Sequence, residues 1–120
     1  MRSDARLVAI ALVVLLSACG TNISAINARP DKYYEHKVSF TGKIQRMQFL
    51  AHETLLELAD ARGGRMIVRS ADPVEAEVGE WAEVTGVLVP EMRIEDVVVY
   101  DVIAAEKIRR TRPPRFLDLM

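Results

Sequence analysis

The chain of 120 residues holds one cysteine, Cys19, so no disulfide can form within it. Its two histidines, His36 and His52, stand far apart and have no cysteine to spare between them, a poor set for a metal ion. His52-Glu53 opens like a zinc-protease helix motif, but the second histidine is missing. Ser24, Ser39 and Ser70 lack the glycine frame of a nucleophile elbow. Arg62-Gly63-Gly64-Arg65 lacks the Lys-Ser/Thr end of a phosphate loop. Acid–base, nucleophilic and metal chemistry therefore find no constellation, and a non-enzyme with no cofactor and no metal is expected. An excess of one charge is also missing: 16 basic against 17 acidic residues argues against a broad platform for nucleic acid. Aromatics are few, with three Phe, three Tyr and one Trp, and none lies between Thr54 and Arg69. Single-strand binding needs stacking rings over a basic groove, and that stretch supplies none. No apolar run reaches the roughly 20 residues a membrane-spanning helix requires.

The first apolar run, Leu7 to Leu16, has the length of a signal-peptide core and follows Arg2 and Arg6. It ends in Leu16-Ser17-Ala18-Cys19, followed by Gly20. This pattern resembles the lipobox of bacterial lipoproteins. The resemblance implies cleavage before Cys19 and a diacylglycerol thioether on its sulfur, with the membrane as first partner. Stable anchoring takes about two acyl chains. In that family an Asp after the cysteine commonly retains the protein at the inner membrane. Gly20 in that place implies the inner leaflet of the outer membrane, facing the periplasm, if the host is Gram-negative. Two other readings stay open: an ordinary export signal cut after Ala18, which leaves a free thiol, and a short uncleaved anchor. Removing 18 of the 120 residues leaves 102, one domain of common size.

Downstream, residues 19–29 read as a lipidated tether with helical character, since Ile23 and Ile26 share a helical face. Pro30 ends it, and Tyr33 or Tyr34 is expected to pack under the first strand. Val38, Phe40, Gly42 and Ile44 alternate with polar residues, the signature of a half-buried strand. After Ile44 the apolar set changes parity to Met47 and Phe49, which predicts a bulge near Arg46. Thr54 to Ala59 and Arg65 to Arg69 form two more strands around the turn Asp60-Ala61-Arg62-Gly63-Gly64. Pro73 can open a single helical turn through Glu77, closed by Gly79. A fourth strand runs from about Trp81 to Val89 with Ala82, Val84, Gly86 and Leu88 inward; Pro90 to Asp96 reads as a polar loop. A fifth strand starts near Val97 and ends by Ile108.

Phe40-Thr41-Gly42-Lys43-Ile44 and Val84-Thr85-Gly86-Val87-Leu88 repeat one pattern, apolar-Thr-Gly-x-apolar. A glycine in mid-strand marks a sharp bend or a close backbone approach. Two such strands suit a small barrel. Pro30, Tyr34, the Val38–Ile44 alternation, Leu56-x-Leu58-x-Asp60-x-x-Gly63 and Val78-Gly79-Glu80-Trp81-x-x-Val84-x-Gly86 together resemble an OB-fold. They are also distantly similar to Slp-type outer-membrane lipoproteins, which join a lipobox to a proline-tyrosine-led β-domain. The expected fold is mainly β: a five-stranded OB-like barrel over residues 30–108, after a cleaved signal peptide (1–18) and the short helical tether. The helix usual in OB-folds between the third and fourth strands is cut to a turn here, which bears on whether the barrel closes.

Two groups of residues remain as candidate sites. OB-folds commonly bind ligands on the face of strands two and three, where Arg62, Arg65 and Arg69 add positive charge. The tail 109–120 carries Arg109, Arg110, Arg112 and Arg115 around Pro113-Pro114, then Phe116 and Leu117. It reads either as a frayed terminus or as a docking segment for anionic head groups or a partner. The function this supports is a membrane-anchored envelope lipoprotein acting as a protein-interaction module, with an envelope protein as partner. The alternative is a glycan- or small-ligand-binding OB module in the periplasm.

Overall fold

The computed structural model describes residues 19–114. Residues 1–18, the expected signal peptide, and residues 115–120, with Arg115, Phe116 and Leu117, lie outside the described residues.

The alternation from residue 37 onward builds one long strand, β2 (Lys37–Phe49), whose Val38, Phe40, Gly42 and Ile44 are all buried. Its register against the next strand slips between Ile44 and Arg46, so the bulge lies at the predicted change of parity. The bulge lets β2 serve two partners: Lys37 to Lys43 pair with β5 (Trp81–Ile94), and Lys43 to Phe49 pair with β3 (Thr54–Ala59). β3 pairs with β4 (Arg65–Ser70) across the glycine turn, where Gly63 has φ +86°. β4 then runs parallel to β6 (Val97–Thr111), and β6 pairs antiparallel with β5. The ring β2-β3-β4-β6-β5 returns to β2, so the barrel is closed. This is a five-stranded, mainly β, OB-like closed sheet.

The two glycine motifs lie side by side in the wall, with Phe40 opposite Val84 and Val38 opposite Gly86. Gly86 stands at a second bulge, where β5 and β6 slip register between Thr85 and Gly86. A Cβ there would strike the Ala104 carbonyl oxygen and lie 2.9 Å from Ala105 Cα. The backbones approach too closely for any side chain, which is the reason glycine is required.

Residues 19–29 carry the helix expected of the tether, and that helix is docked on the barrel. Cys19 and Gly20 form a two-residue strand, β1, parallel to Val38 and Ser39. The helix α1 (Ile23–Ala28) follows, with Asn22 Oδ1 accepting from the Ala25 N–H as N-cap. Ile23 and Ile26 are fully buried and belong to the barrel core. A second short helix, α2 (Pro30–Tyr33), leads into β2 with Tyr33 and Tyr34 packed against that core. Two apolar side chains on one helical face would lose several kcal/mol of burial as a solvated tether, so the segment docks.

Three expectations are corrected. The stretch after Pro73 forms no helical turn, because Val74 and Ala76 both pack on the core. A spacing of two suits extended chain, since two helical residues two apart face opposite ways. Its end is instead tied to β2: the Gly79 N–H donates to the Ile44 carbonyl and the Ile44 N–H to the Glu80 carbonyl. The stretch Pro90–Asp96 is not a loop. β5 continues to Ile94 and pairs with β6 from Val97, leaving Glu95-Asp96 as a two-residue turn with Glu95 at φ 54°. Pro90 fits within the strand because the ladder skips from Val89–Val102 to Glu91–Tyr100, and no N–H is demanded of it. Finally, β6 extends to Thr111, so Arg109 and Arg110 are strand residues rather than tail.

Candidate functional site

Three surfaces combine shape with chemistry. The first is a groove of about 360 Å³ on the outer face of β2, β3 and β4, lined by Arg46, Gln48, Leu55, Glu57 and Ile67 among others. This is the face on which the sequence placed Arg62, Arg65 and Arg69, and the structure divides that trio. Arg65 pairs with Glu57 at 2.6 Å and Arg69 pairs with Glu53 at 3.1 Å. Both acids come from β3 or the loop before it, so the hairpin neutralises its own basic residues. Arg62 lies in the turn and lines a different groove.

The second surface is that other groove, of about 340 Å³. One wall is Gly20, Thr21 and Asn22, directly after Cys19. The floor is β2 and β5, with Ser39, Thr41, Trp81 and Glu83 among its residues. Asp60 and Arg62 of the β3–β4 turn close one side, and Pro114 reaches it from the end of β6. The Thr21 N–H donates to the Ser39 carbonyl at 2.9 Å, which holds the N-terminal wall against the barrel. Asp60 is a structural acid. Its two oxygens accept from the Ser24 N–H and hydroxyl and from the N–H groups of Arg62 and Gly64. Burial works against its charged form, but these hydrogen bonds outweigh it and hold the carboxyl below its ordinary value. The Glu83 carboxylate is taken by Arg109 at 2.6 Å. Among the described residues Arg62 has no ion pair, but the ionised Asp60 lines the same groove, so the two charges offset and the groove carries no positive excess.

The third surface is the arm made by the distal β5–β6 hairpin. Val97 is 62% exposed, Val98 40% and Tyr100 67%. Beyond Leu88, which still bridges Tyr34 and accepts from the Glu35 N–H, the outer part of β5 pairs with β6 alone, so this arm leaves the barrel wall. Its base is fastened where the Tyr34 hydroxyl donates to Asp101 Oδ1, at a residue held at φ 55°. That hydrogen bond, with burial and the charges of Asp101 and Asp31 behind it, raises the Tyr34 pKa.

Of the predicted tail, Arg109 is spent on Glu83, and Arg110 lies 3.3 Å from Glu80. Arg112 is exposed and has no ion pair among the described residues. His52 lies in the β2–β3 loop and His36 before β2, as expected, and among the described residues no three His, Cys, Asp or Glu side chains gather to hold a metal ion. No described helix is long and apolar enough to cross a membrane. Sequence reasoning assigned nothing to Trp81 or to the arm. The run Val97-Val98-Val99-Tyr100 was a signal for the arm, because four consecutive apolar residues cannot all face one core from a strand.

No protein-family model matches the chain, and no curated protein matches it. Its likeness to solved structures is one of fold. An aspartyl-tRNA synthetase from Leishmania major Friedlin superposes with a TM-score of 0.61 at 12% identity, over 83% of this chain and 22% of that one. The aspartyl-tRNA synthetase of Entamoeba histolytica gives 0.54 at 13% identity, over 71% and 20%. The asparaginyl-tRNA synthetase of Pyrococcus horikoshii gives 0.51 at 15%, over 69% and 21%. The chain thus spans about a fifth of the length of these proteins, and what they share with it is an OB-like β-barrel.

Proposed function

We propose that this chain is a lipid-anchored module of a bacterial cell envelope that works by binding another protein. The lipobox at Leu16–Cys19 supports the anchor, and Gly20 in place of Asp supports the outer membrane in a Gram-negative host. A distant likeness to Slp-type lipoproteins points the same way. The observation that carries the interaction role is the apolar surface of the arm, Val97, Val98 and Tyr100. Exposed apolar side chains in water carry a free-energy cost that a partner surface relieves.

The alternative, a glycan or small ligand on the β3–β4 face, has the shallow groove of about 360 Å³ in its favour. Its basic groups are already occupied by Glu53 and Glu57, however, and no aromatic lies on β3 or β4. The same two facts weigh against nucleic acid, despite the fold shared with tRNA synthetases.

Two experiments test the proposal. Labelling cells with an alkyne fatty acid should mark the wild type and leave Cys19→Ala unmarked. A photo-crosslinking residue at Val97 or Tyr100 in intact cells should capture a discrete protein, and Val98→Asp should abolish the adduct. Equal capture from the arm and from an exposed control position such as Glu75 would reject the arm as an interface.

A further inference from the structure

We infer that the open edge of β6 in the arm, Val97–Tyr100, is a strand-addition site that takes an extended segment of a partner protein, apolar in its middle and basic at its ends. The inference rests on the proposed role of the arm as an interface and adds to it a mode of binding and the chemistry of the partner.

The first argument is in the backbone. β6 pairs with β4 only from Val102 onward. From Val97 to Asp101, the edge of β6 turned away from β5 has no strand partner among the described residues. The opposite edge of the arm, on β5 beyond Leu88, is unpaired too, but exposed Pro90 interrupts it, and Glu91 and Arg93 lie exposed along it. Proline and charge are what close an edge to further pairing. Val97 to Tyr100 carry neither. Side chains alternate along a strand, so Val98 and Tyr100 stand on one face and Val97 and Val99 on the other. Neither face offers water a polar side chain, the pattern of a strand covered on both sides. An added strand makes main-chain hydrogen bonds along the edge and brings cross-strand neighbours to both rows at once.

The second argument is charge, and it selects the occupant. From Pro90 to Asp101 the arm holds four acids, Glu91, Glu95, Asp96 and Asp101, against one base, Arg93. None of these five is in an ion pair among the described residues. Asp96 and Asp101 bracket the apolar run at its two ends. A second copy of the chain is therefore a poor occupant. Two-fold pairing of β6 with β6 that sets Val97 against Tyr100 and Val98 against Val99 also sets Asp96 of one copy against Asp101 of the other. Like charges directly opposite each other are destabilising, and unlike charges are favourable. A segment with Lys or Arg at each end of an apolar run satisfies both ends of this edge.

The test uses the full chain purified in detergent and the synthetic peptide Lys-Val-Thr-Val-Thr-Val-Lys at about 1 mM, where even a weak site fills. Amide hydrogen exchange is followed by mass spectrometry. Exchange over Val97–Asp101 should slow about tenfold, as at a site nine-tenths filled, and exchange in β3 and β4 should not change. A twin methylated on the backbone nitrogens of its valines and threonines keeps the side chains, loses the donors, and should give no protection. A twin with glutamate at both ends should give little. Asp96→Lys, in the exposed turn, should weaken the lysine-ended peptide about fivefold and tighten the glutamate-ended one. Unchanged exchange over Val97–Asp101, or equal protection by the methylated twin, would overturn strand addition. Equal protection by both charged peptides would overturn the basic partner. Slow exchange without peptide, together with a dimer in sedimentation, would make a second copy the occupant and overturn the inference equally. Failure of the arm itself reads differently: crosslinks from Val97 and Tyr100 in cells that exceed those from Glu75 keep the interface standing even where strand addition falls.

Discussion

Ser24 and Asp60, 36 residues apart, are joined by two hydrogen bonds: the Ser24 N–H donates to Asp60 Oδ2 at 2.8 Å and its hydroxyl donates to the same oxygen at 2.7 Å. The pair pins α1 to the β3–β4 turn and is the polar counterpart of Ile23 and Ile26 in the core.

Removing the carboxylate should therefore loosen the helix and the turn together. Hydrogen bonds to a charged group contribute about 1.5–3 kcal/mol, so Asp60→Ala should cost about 3 kcal/mol in urea unfolding. Ser24→Ala, which keeps the backbone donor, should cost about 1 kcal/mol. Equal midpoints for wild type and Asp60→Ala would show that the pair holds nothing.

The same carboxylate gives an acid limb to the stability curve. Its folded pKa lies below the ordinary 3.8, so its contribution is present above that value and is lost as pH falls through the folded one. Urea midpoints of wild type and Asp60→Asn should differ by a constant amount above about pH 5 and converge below about pH 4. A gap that widens on acidification would reverse the sign of the shift.

Gly42 and Gly86 occupy matching places in the repeated motif but should respond unequally to alanine. At Gly86 a Cβ meets fixed backbone, the Ala104 carbonyl and Ala105 Cα. At Gly42 it comes to 3.0 Å from the Ile23 Cδ1, the free end of a side chain, and 3.0 Å from Leu58 Cβ. Overpacking costs about 1–3 kcal/mol, with Gly42→Ala expected at about 1 kcal/mol and Gly86→Ala at about 3 kcal/mol. Chemical denaturation of both variants checks the order.

The hairpin arginines give a test of the nucleic-acid reading. With Arg65 and Arg69 paired to Glu57 and Glu53, the wild type should bind a labelled oligothymidine weakly and with little salt dependence. The double variant Glu53→Gln, Glu57→Gln frees both cations. It should bind more tightly, with a log–log salt slope steeper by about 1.4. Tight wild-type binding with a steep slope would return nucleic acid to the leading place.

What the sequence determined by itself is what depends on neighbours a few residues away. The strands over Val38–Ile44, Thr54–Ala59 and Arg65–Arg69 were legible because inward and outward side chains alternate with period two. The bulge at Ile44–Arg46 was legible because an extra residue flips that alternation. The turn at Asp60–Gly64 was legible because glycine supplies positive φ at no steric cost. Tertiary structure decided whatever depends on residues tens of positions apart. Closure needed β2 to pair with both β3 and β5, and no local pattern states that. Residues 19–29 became part of the barrel because Ile23 and Ile26 found a core built by later strands, a gain that exists only once those strands assemble. Pro90 reads locally as a strand end, and the gap in the ladder opposite Asp101 lets it pass. Arg65, Arg69, Arg109 and Arg110 read as free cations until the fold set carboxylates beside them, since charge along a chain says nothing of charge across it.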